Sequence, residues 1–481
     1  MLQDEIISQL QVNQAEITSN MLRDLVAEAR APKSRQRIAH ELEERYEQCG
    51  IPIQVRESRN PNKIDERVPN DFFSDIIDTK QGYMGNEVGI ELDRTPYEDS
   101  NGNVSPAYDE HTKVLHDFQT LNDAVDQNSE MVKNAARDGA GYRLLFIPEG
   151  RNEVRVKQLP ASETIVYTDG SLDEPVYAMR FWEVKDTEYS GTVANVTKRT
   201  KVEWYDSSMV YFYIDDGKGN YRVDKEPIPH LFDGVPVLRF PNNEEGQGEA
   251  EKVLKLIDAY DTIISATVSE IEQFRLAYIK MKDAGLNVDD QLVARMEQTG
   301  ILPLSKDGDA SFMTKDFAVD GVKIILDELR TNIYEFARSI DLSKDYGGDL
   351  RVIGWQVALL NLENSCKVTE RKFKKALREQ YRMICAKWKE WGVADINYLD
   401  LKFTFARNFP KDIGSEAKIL LDLLGAVSRK TAYSLVSFID DPEAELEAWD
   451  KQKETNMDLF GLGNAITGST TESTTSNAST T

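Results

Sequence analysis

Two runs of apolar residues spaced three or four apart bracket a short interruption, and this arrangement limits the folds open to the chain more than any other feature. The first run is Leu254, Ile257, Ile264, Val268, Ile271 and Phe274; the second is Val322, Ile325, Leu329, Ile333, Phe336 and Ile340. Such spacing lines apolar side chains along one face of a helix, and the first helix would be roughly 30 Å long or more at about 1.5 Å per residue. Each stripe is narrow, so each helix packs along one line and keeps another face wet. Between them, Asp283 to Asp316 reads as a compact module with one short helix, Leu292 to Met296, and two strands, Ile301 to Leu304 and Ser311 to Thr314.

The flanking sequence changes period twice. Up to about Arg67 it is helical, with Ile6, Ile7 and Leu10, then Met21, Leu22, Leu25 and Val26, and after Pro32 Ile38, Leu42 and Tyr46. Phe72, Phe73, Ile76 and Ile77 predict a helix ending at the turn Gly82-Tyr83-Met84-Gly85. Phe118, Leu121, Val125, Met131 and Val132 predict one helix between His116 and Arg137, stopped by Gly139 and Gly141. From Tyr142 to about Val223, alternating β-branched and aromatic residues predict an antiparallel meander, with tight turns at Asp169-Gly170 and Asp216-Gly217. Beyond the second stripe, Ser343 to Gly354 is a polar, glycine-bearing loop. A very long helix follows through Leu359, Leu362, Cys366, Phe373, Leu377, Tyr381, Ile384, Trp388 and Trp391 to Gly392, with Thr369 the one polar residue in its stripe and Glu363–Lys367 and Glu370–Lys374 as pairs four apart. Leu401, Phe403 and Phe405 alternate as a strand. Ser415 to Leu424, Lys430 to Phe438 and Glu443 to Lys453 read as helices, and the Ser/Thr-rich tail from Thr467 is too polar to fold. The fold class is α+β, mainly helical.

The residues offer little chemistry. Cys49, Cys366 and Cys385 are not at metal-ligand spacing and read as reduced, buried thiols. His111 and His116 fit a solvated loop and a helix start. No Gly-x-x-x-x-Gly-Lys-Ser/Thr loop is present, which argues against ATP-driven motor activity. Gly246-Gln247-Gly248 resembles a dinucleotide turn but lacks its third glycine and follows an Asn-Glu-Glu run that would repel a pyrophosphate. Asp341, Asp345 and Asp349 could gather a magnesium ion, but on a glycine-rich loop they read as solvated acids. No catalytic residue, metal or cofactor is expected. No apolar run reaches the roughly 18 residues of a membrane span, and Met1 to Leu10 is not a secretory signal. With 83 acidic against 58 basic residues the net charge is −25, which argues against a protein that grips nucleic acid by neutralising phosphates.

Several strings, in order and spacing, resemble the portal proteins of tailed bacteriophages, of the family found in long-tailed phages of Bacillus and related Gram-positive hosts. They are Asp78 to Gly85, Val235 to Glu245, Leu256 to Asp261, Phe312 to Asp316, Asn361 to Asn364 and Glu370 to Lys375. The resemblance implies a wing with the β meander (1–246), stem helix one (247–282), a clip (283–317), stem helix two (318–342), a channel loop (343–354), a long helix and strand joining wing to crown (355–410), a crown (411–465) and the disordered tail (466–481). It implies that Lys344, Asp345, Tyr346, Gly347, Gly348, Asp349 and Arg351 face DNA in the channel. Lys306, Asp307, Asp309 and Ser311 would meet partners at the clip, and Leu254, Ile257, Ile264, Ile271, Ile325, Leu329, Ile333 and Phe336 would pack the stem. The implied assembly is a twelve-subunit homo-oligomer, made in the host cytoplasm and placed at the capsid vertex of the virion. Its implied partners are double-stranded DNA in transit, the terminase large subunit, a head-tail adaptor, and the major capsid and scaffolding proteins, with no membrane. The rival readings are a metal-dependent nuclease and a channel-less scaffolding or tail protein; the meander disfavours the latter, because coiled-coil scaffolds need no sheet.

Overall fold

The structure, a computed structural model, describes residues 2–13, 16–58, 64–85, 87–100, 102–169, 174–190, 193–275, 278–282, 309–313, 319–343 and 359–408, and parts of 418–452. Met1–Asn408 and Phe409–Thr481 are separate compact units.

In the first unit the N-terminal stripes form helices α1 (Leu2–Asn13), α2 (Ser19–Ala29), α3 (Arg35–Glu47) and the short α4 (Ile51–Gln54). Thr18 and Ser34 cap α2 and α3 by accepting the amides of Met21 and Arg37, the pairing that Ser and Thr supply at helix starts. Helix α5 (Phe72–Lys80) runs into a π-helical turn at Gln81–Gly85, so the helix and its glycine-rich end stand as the sequence indicates. Strand β1 (Glu87–Leu92) follows.

The single helix expected between His116 and Arg137 is two helices, α6 (Pro106–Leu121) and α7 (Ala124–Asp138). The chain bends at Asn122 and Asp123, where Asp123 takes a left-handed φ of 47°. The side chain of Asn122 bonds the carbonyls of Phe118 and Val154 and the amide of Val156, so the bend is held from three sides. His111 and His116 both lie within α6, not in a loop, and His111 Nδ1 sits 2.9 Å from the Tyr97 hydroxyl. Gly139 ends α7 with φ of 87°, and a Cβ there would lie 2.0 Å from the Gly246 carbonyl. Only glycine fits.

The expected single meander is two sheets. Strands β2 (Ala140–Phe146) and β3 (Arg155–Leu159) pair with each other, and β2 takes β9 (Val237–Pro241) on its other side. The true meander is β4 (Thr164–Thr168), β5 (Pro175–Ser190), β6 (Val193–Tyr205), β7 (Met209–Asp215) and β8 (Tyr221–Pro229), in sequential order. Asp216-Gly217 lies in a five-residue loop closed by Asp216 and Asn220, with φ positive at Gly217 and Gly219. Gly170 lies outside the described residues. One face of this sheet, through Ile165, Met179, Phe181 and Trp204, packs on the stripes of α1 and α2.

The two long stripes fold as α8 (Leu254–Arg275) and α9 (Val319–Phe336), which touch each other. At about 1.5 Å per residue α8 is roughly 33 Å long. It stops before Lys282, because Tyr278–Lys282 is a strand, β10, that pairs antiparallel with β11 (Asp309–Met313). The hairpin of the inserted module therefore begins inside the span assigned to the first long helix. Ile301–Leu304 and Leu292–Met296 lie outside the described residues. Helix α9 ends at Phe336, so Ile340, read as the last position of its stripe, is buried beyond the helix end. Helix α10 (Leu360–Glu390) follows the expected stripe and is stopped at Gly392, φ 66°. Strand β12 (Leu401–Ala406) alternates buried and exposed residues and pairs with β1. Cys366 and Cys385 are free and buried, and burial pushes both thiols up to about 12; Cys49 is only half-buried.

In the second unit the described residues include helix α11 (Arg429–Ser434), capped by Ser428, and the Arg429 guanidinium stacks 3.6 Å over the Trp449 ring. The tail from 466 lies outside the described residues.

Candidate stem helices and their anchors

The roots of α8 and α9 are built into one apolar core with α5. Ile257 and Ile333, 3% and 0% exposed, join Phe72, Phe73, Ile76, Ile77 and Leu42 there. Phe72 packs edge-on against Tyr260 (4.9 Å) and Tyr334 (5.8 Å). The Tyr334 hydroxyl donates to Asp75 at 2.8 Å; burial and that carboxylate both raise its pKa. Arg45 of α3 grips Asp258 of α8 with two parallel bonds, 2.9 and 3.1 Å, the bidentate geometry that fixes direction as well as distance.

Farther along α8, the side facing its own protomer is polar. Asp261 and Ser265 are buried, and an extended strap at residues 64–71 lies against them. The Glu66 amide donates to Ser269 Oγ (2.8 Å), the Val68 amide to Ser265 Oγ (3.0 Å) and the Asn70 amide to Asp261 Oδ1 (3.0 Å). Two residues of extended chain advance about 6.6 Å and four of a helix about 6.0 Å. Every second strap amide therefore meets every fourth helix side chain. Pro69, which has no N–H, occupies an intervening position that needs no donor. Asp261 also accepts from Asn70 Nδ2 at 2.9 Å, yet burial wins and its carboxyl sits above the usual range.

Of the apolar stripes read from the sequence, Ile257 and Ile333 are buried in the core shared with α5, and the other described positions on the two helices are less covered. Leu254, Ile264 and Leu329 are half-buried, and Ile271 (53%), Ile325 (50%) and Phe336 (57%) are exposed, with Ile324 (69%) beside them. Beyond α9 the chain reverses at Arg338, φ 55°, and is pinned by Asp341. Burial alone would raise the Asp341 carboxyl. Arg330, bonded at 2.7 and 2.9 Å, and Ser343, through hydroxyl and amide, hold it below the usual range instead. Asp341 is therefore not the solvated loop acid the composition suggested. No cluster of His, Cys, Asp or Glu among the described residues could hold a metal ion.

The strongest anchor is Lys80, fully buried at the end of α5. Its three N–H groups face four acceptors: Glu249 Oε2 (2.7 Å), Asn242 Oδ1 (2.8 Å), Thr369 Oγ1 (2.9 Å) and Ser365 Oγ (3.1 Å). Asn242 and Ser365 also bond Glu249, at 2.9 and 2.5 Å. Burial would raise the Glu249 carboxyl, but Lys80 and these donors outweigh it and hold the group ionised. The polar residue that interrupts the stripe of α10, Thr369, is thus a partner of this ammonium. The end of α5, the segment between β9 and α8, and α10 meet here.

The chain as a whole carries a family signature. The sequence profile described as "Phage portal protein, SPP1 Gp6-like" matches residues 28–458. The chain belongs to this family of phage portal proteins. It is similar to the portal protein of Bacillus phage SPP1, with 26% identity over 356 residues, 69% of this chain and 68% of that one. It is also similar to the portal protein of Clostridium phage phiCD119, with 19% identity over 420 residues, 84% of this chain and 89% of that one. The chain is a portal subunit, a structural component of the phage virion and not an enzyme, and its family implies an oligomeric ring with capsid and packaging partners. No helix among the described residues is long and apolar enough to cross a membrane.

Among the described stem residues named from the sequence, Ile257 and Ile333 are the ones buried within one protomer, where they root the helices. Asp309 and Ser311 fall in β11, opposite Lys282 and Lys280. Lys306, Asp307, and Lys344 to Arg351 lie outside the described residues. The strap, the Asp341 pin and the Lys80 cluster were missed. For the strap a signal existed: Asp261, Ser265 and Ser269 recur every fourth residue on α8.

Proposed function

We propose that α8 and α9 are the portal's stem helices and that copies of them, side by side, enclose a channel for double-stranded DNA in a ring of twelve. The observation that carries this is the split character of the helices: one end is rooted in the protomer's own core, while Ile271, Ile324, Ile325 and Phe336 remain exposed. Exposed large apolar side chains on two adjacent helices are what a neighbouring copy would cover, each burial contributing on the order of 1 kcal/mol or more. Head-to-tail contacts that close after a full turn make a ring. The wing comprises the N-terminal helices and both sheets, and the β10–β11 hairpin opens the clip, where Lys306, Asp307, Asp309 and Ser311 meet the terminase large subunit and the head-tail adaptor. Residues 343–354 form the channel loop, with Lys344 and Arg351 making brief phosphate contacts, and 411–465 the crown, near the capsid and scaffolding proteins. The net charge of −25 favours a channel wall that repels phosphate, so that DNA slides.

Negative-stain electron microscopy of the purified full chain tests the reading. Rings with a central hole are expected, and Ile325→Asp with Phe336→Asp should leave single protomers. Compact monomers or solid fibres from the unmodified chain, in every buffer and with capsid partners present, would overturn it.

A further inference from the structure

The outer face of α10 runs against the charge of the whole molecule. Between residues 367 and 382 stand seven cations and two acids, in a chain of net charge −25. Lys367, Arg371, Lys375 and Arg378 are all exposed. At about 100° per residue they fall within roughly 80° of arc, along about 16 Å of helix. The opposite face, through Thr369, Phe373, Leu377 and Gln380, is buried, so the cations point out of the protomer. Lys367 has a long contact with Glu363 (3.6 Å). Among the described residues Arg371, Lys375 and Arg378 make no ion pair, and the nearby acid Glu244 is taken by Lys372. The α10 residues between 361 and 390 include no exposed large apolar side chain.

We propose that this ridge is a contact for double-stranded DNA, separate from the channel loop. It rests on the reading that the ring handles DNA. A protein partner is disfavoured by composition: protein interfaces are built around apolar and aromatic anchors and are depleted in lysine. A line of Lys and Arg along one helix face, three of the four without an ion pair among the described residues, is the footprint of a phosphate backbone. Because the rest of the surface is acidic, the contact is weak and strongly salt-dependent.

The test is fluorescence anisotropy with a short labelled DNA duplex and the full chain, across a salt series. Four phosphate contacts give a log–log slope of about −3.6 per engaged ridge, or about a 150-fold loss of affinity from 50 to 200 mM salt. Arg371→Gln/Lys375→Gln/Arg378→Gln should flatten this to about −0.9, or about 3.5-fold, with ring formation in micrographs unchanged. Lys113→Gln, an exposed cation on α6, should leave the slope as it was. An unchanged slope in the triple variant, an equal drop in Lys113→Gln, or no DNA binding at low salt would overturn the proposal. So would loss of rings in the triple variant with DNA affinity intact, which would make the ridge a subunit contact. If the unmodified chain forms no rings, the assembly reading fails, while the slope difference still decides the ridge.

Discussion

Replacing Lys80 by methionine removes the one cation from a cluster that contains a buried carboxylate. Glu249 would keep Asn242 and Ser365 as donors but lose the ammonium 2.7 Å away. Breaking a buried pair from one side costs about 3–5 kcal/mol, because the remaining charge is left uncompensated. The loss should also depend on pH in a defined direction. In the unmodified chain the Glu249 carboxyl is held below its usual range, so its contribution is complete above the unfolded value of about 4.3. It disappears as pH falls through the lower folded value. In Lys80→Met burial, the largest influence on this carboxyl, is opposed only by Asn242 and Ser365 and raises that pKa, so the variant gains nothing from ionisation and is penalised above about pH 4.3. Both effects widen the deficit as pH rises.

The assay is urea unfolding of the full chain at pH 4 and pH 7.5, for Lys80→Met, Glu249→Gln and the double variant. The single Lys80 variant should be destabilised by about 3–5 kcal/mol at pH 7.5 and clearly less at pH 4. The double variant should show about 2 kcal/mol of favourable coupling, since no charge is left stranded. A deficit below about 1 kcal/mol, or one equal at both pH values, would refute the reasoning that Lys80 and Glu249 act as a compensated pair.

Ser265→Ala with Ser269→Ala should speed hydrogen exchange at the Glu66 and Val68 amides while leaving Asn70 protected, at a cost of about 1 kcal/mol per lost bond; uniform exchange along the strap would contradict the ladder. Asp341→Asn should lower stability by about 2 kcal/mol near neutral pH. Since the Asp341 carboxyl is held low, that deficit should shrink as pH falls below about 3.9, measured by thermal unfolding in buffers of stepped pH. Gly347→Pro with Gly348→Pro should impair DNA packaging or retention with rings intact, and an unchanged packaged genome length would count against the channel-loop assignment. Deleting Asp283 to Ser311 should abolish terminase or adaptor binding; retained binding in a pull-down would refute the clip assignment.

What could be read in advance followed the strength of periodic apolar signals. The stripe of α10 is long and capped by Gly392, and the structure follows it closely. The long stripe spanning α6 and α7 was continuous enough to hide the bend at Asn122 and Asp123, because both positions are compatible with a helix face until the Asn122 side chain finds its three backbone partners. Ser105 followed by Pro106 marked the true start of α6, a cap and first-turn signal that apolar spacing does not register. Strand β1 alternates Val88, Ile90 and Leu92, but it is short and its partner β12 lies more than three hundred residues away. Pairing at that distance leaves no local trace.

The helix α8 shows why polar contacts were the hardest to foresee and why they matter most for the assembly. Of its apolar stripe the protomer buries Ile257 but leaves Ile264 half-buried and Ile271 exposed; beside Ile257 it buries Asp261 and Ser265, four apart. A sequence pattern ranks faces by hydrophobicity, so it follows the stripe from the buried Ile257 out to the exposed Ile271 and overlooks the polar line through Asp261 and Ser265. The two lines have different partners for a physical reason. Hydrogen bonds from Glu66, Val68 and Asn70 fix the rotation of the helix about its own axis, because only one setting aligns three side chains with three amides. With that rotation fixed, the direction in which Ile271 projects is fixed as well, and the surface offered by each copy is the same before any neighbour arrives.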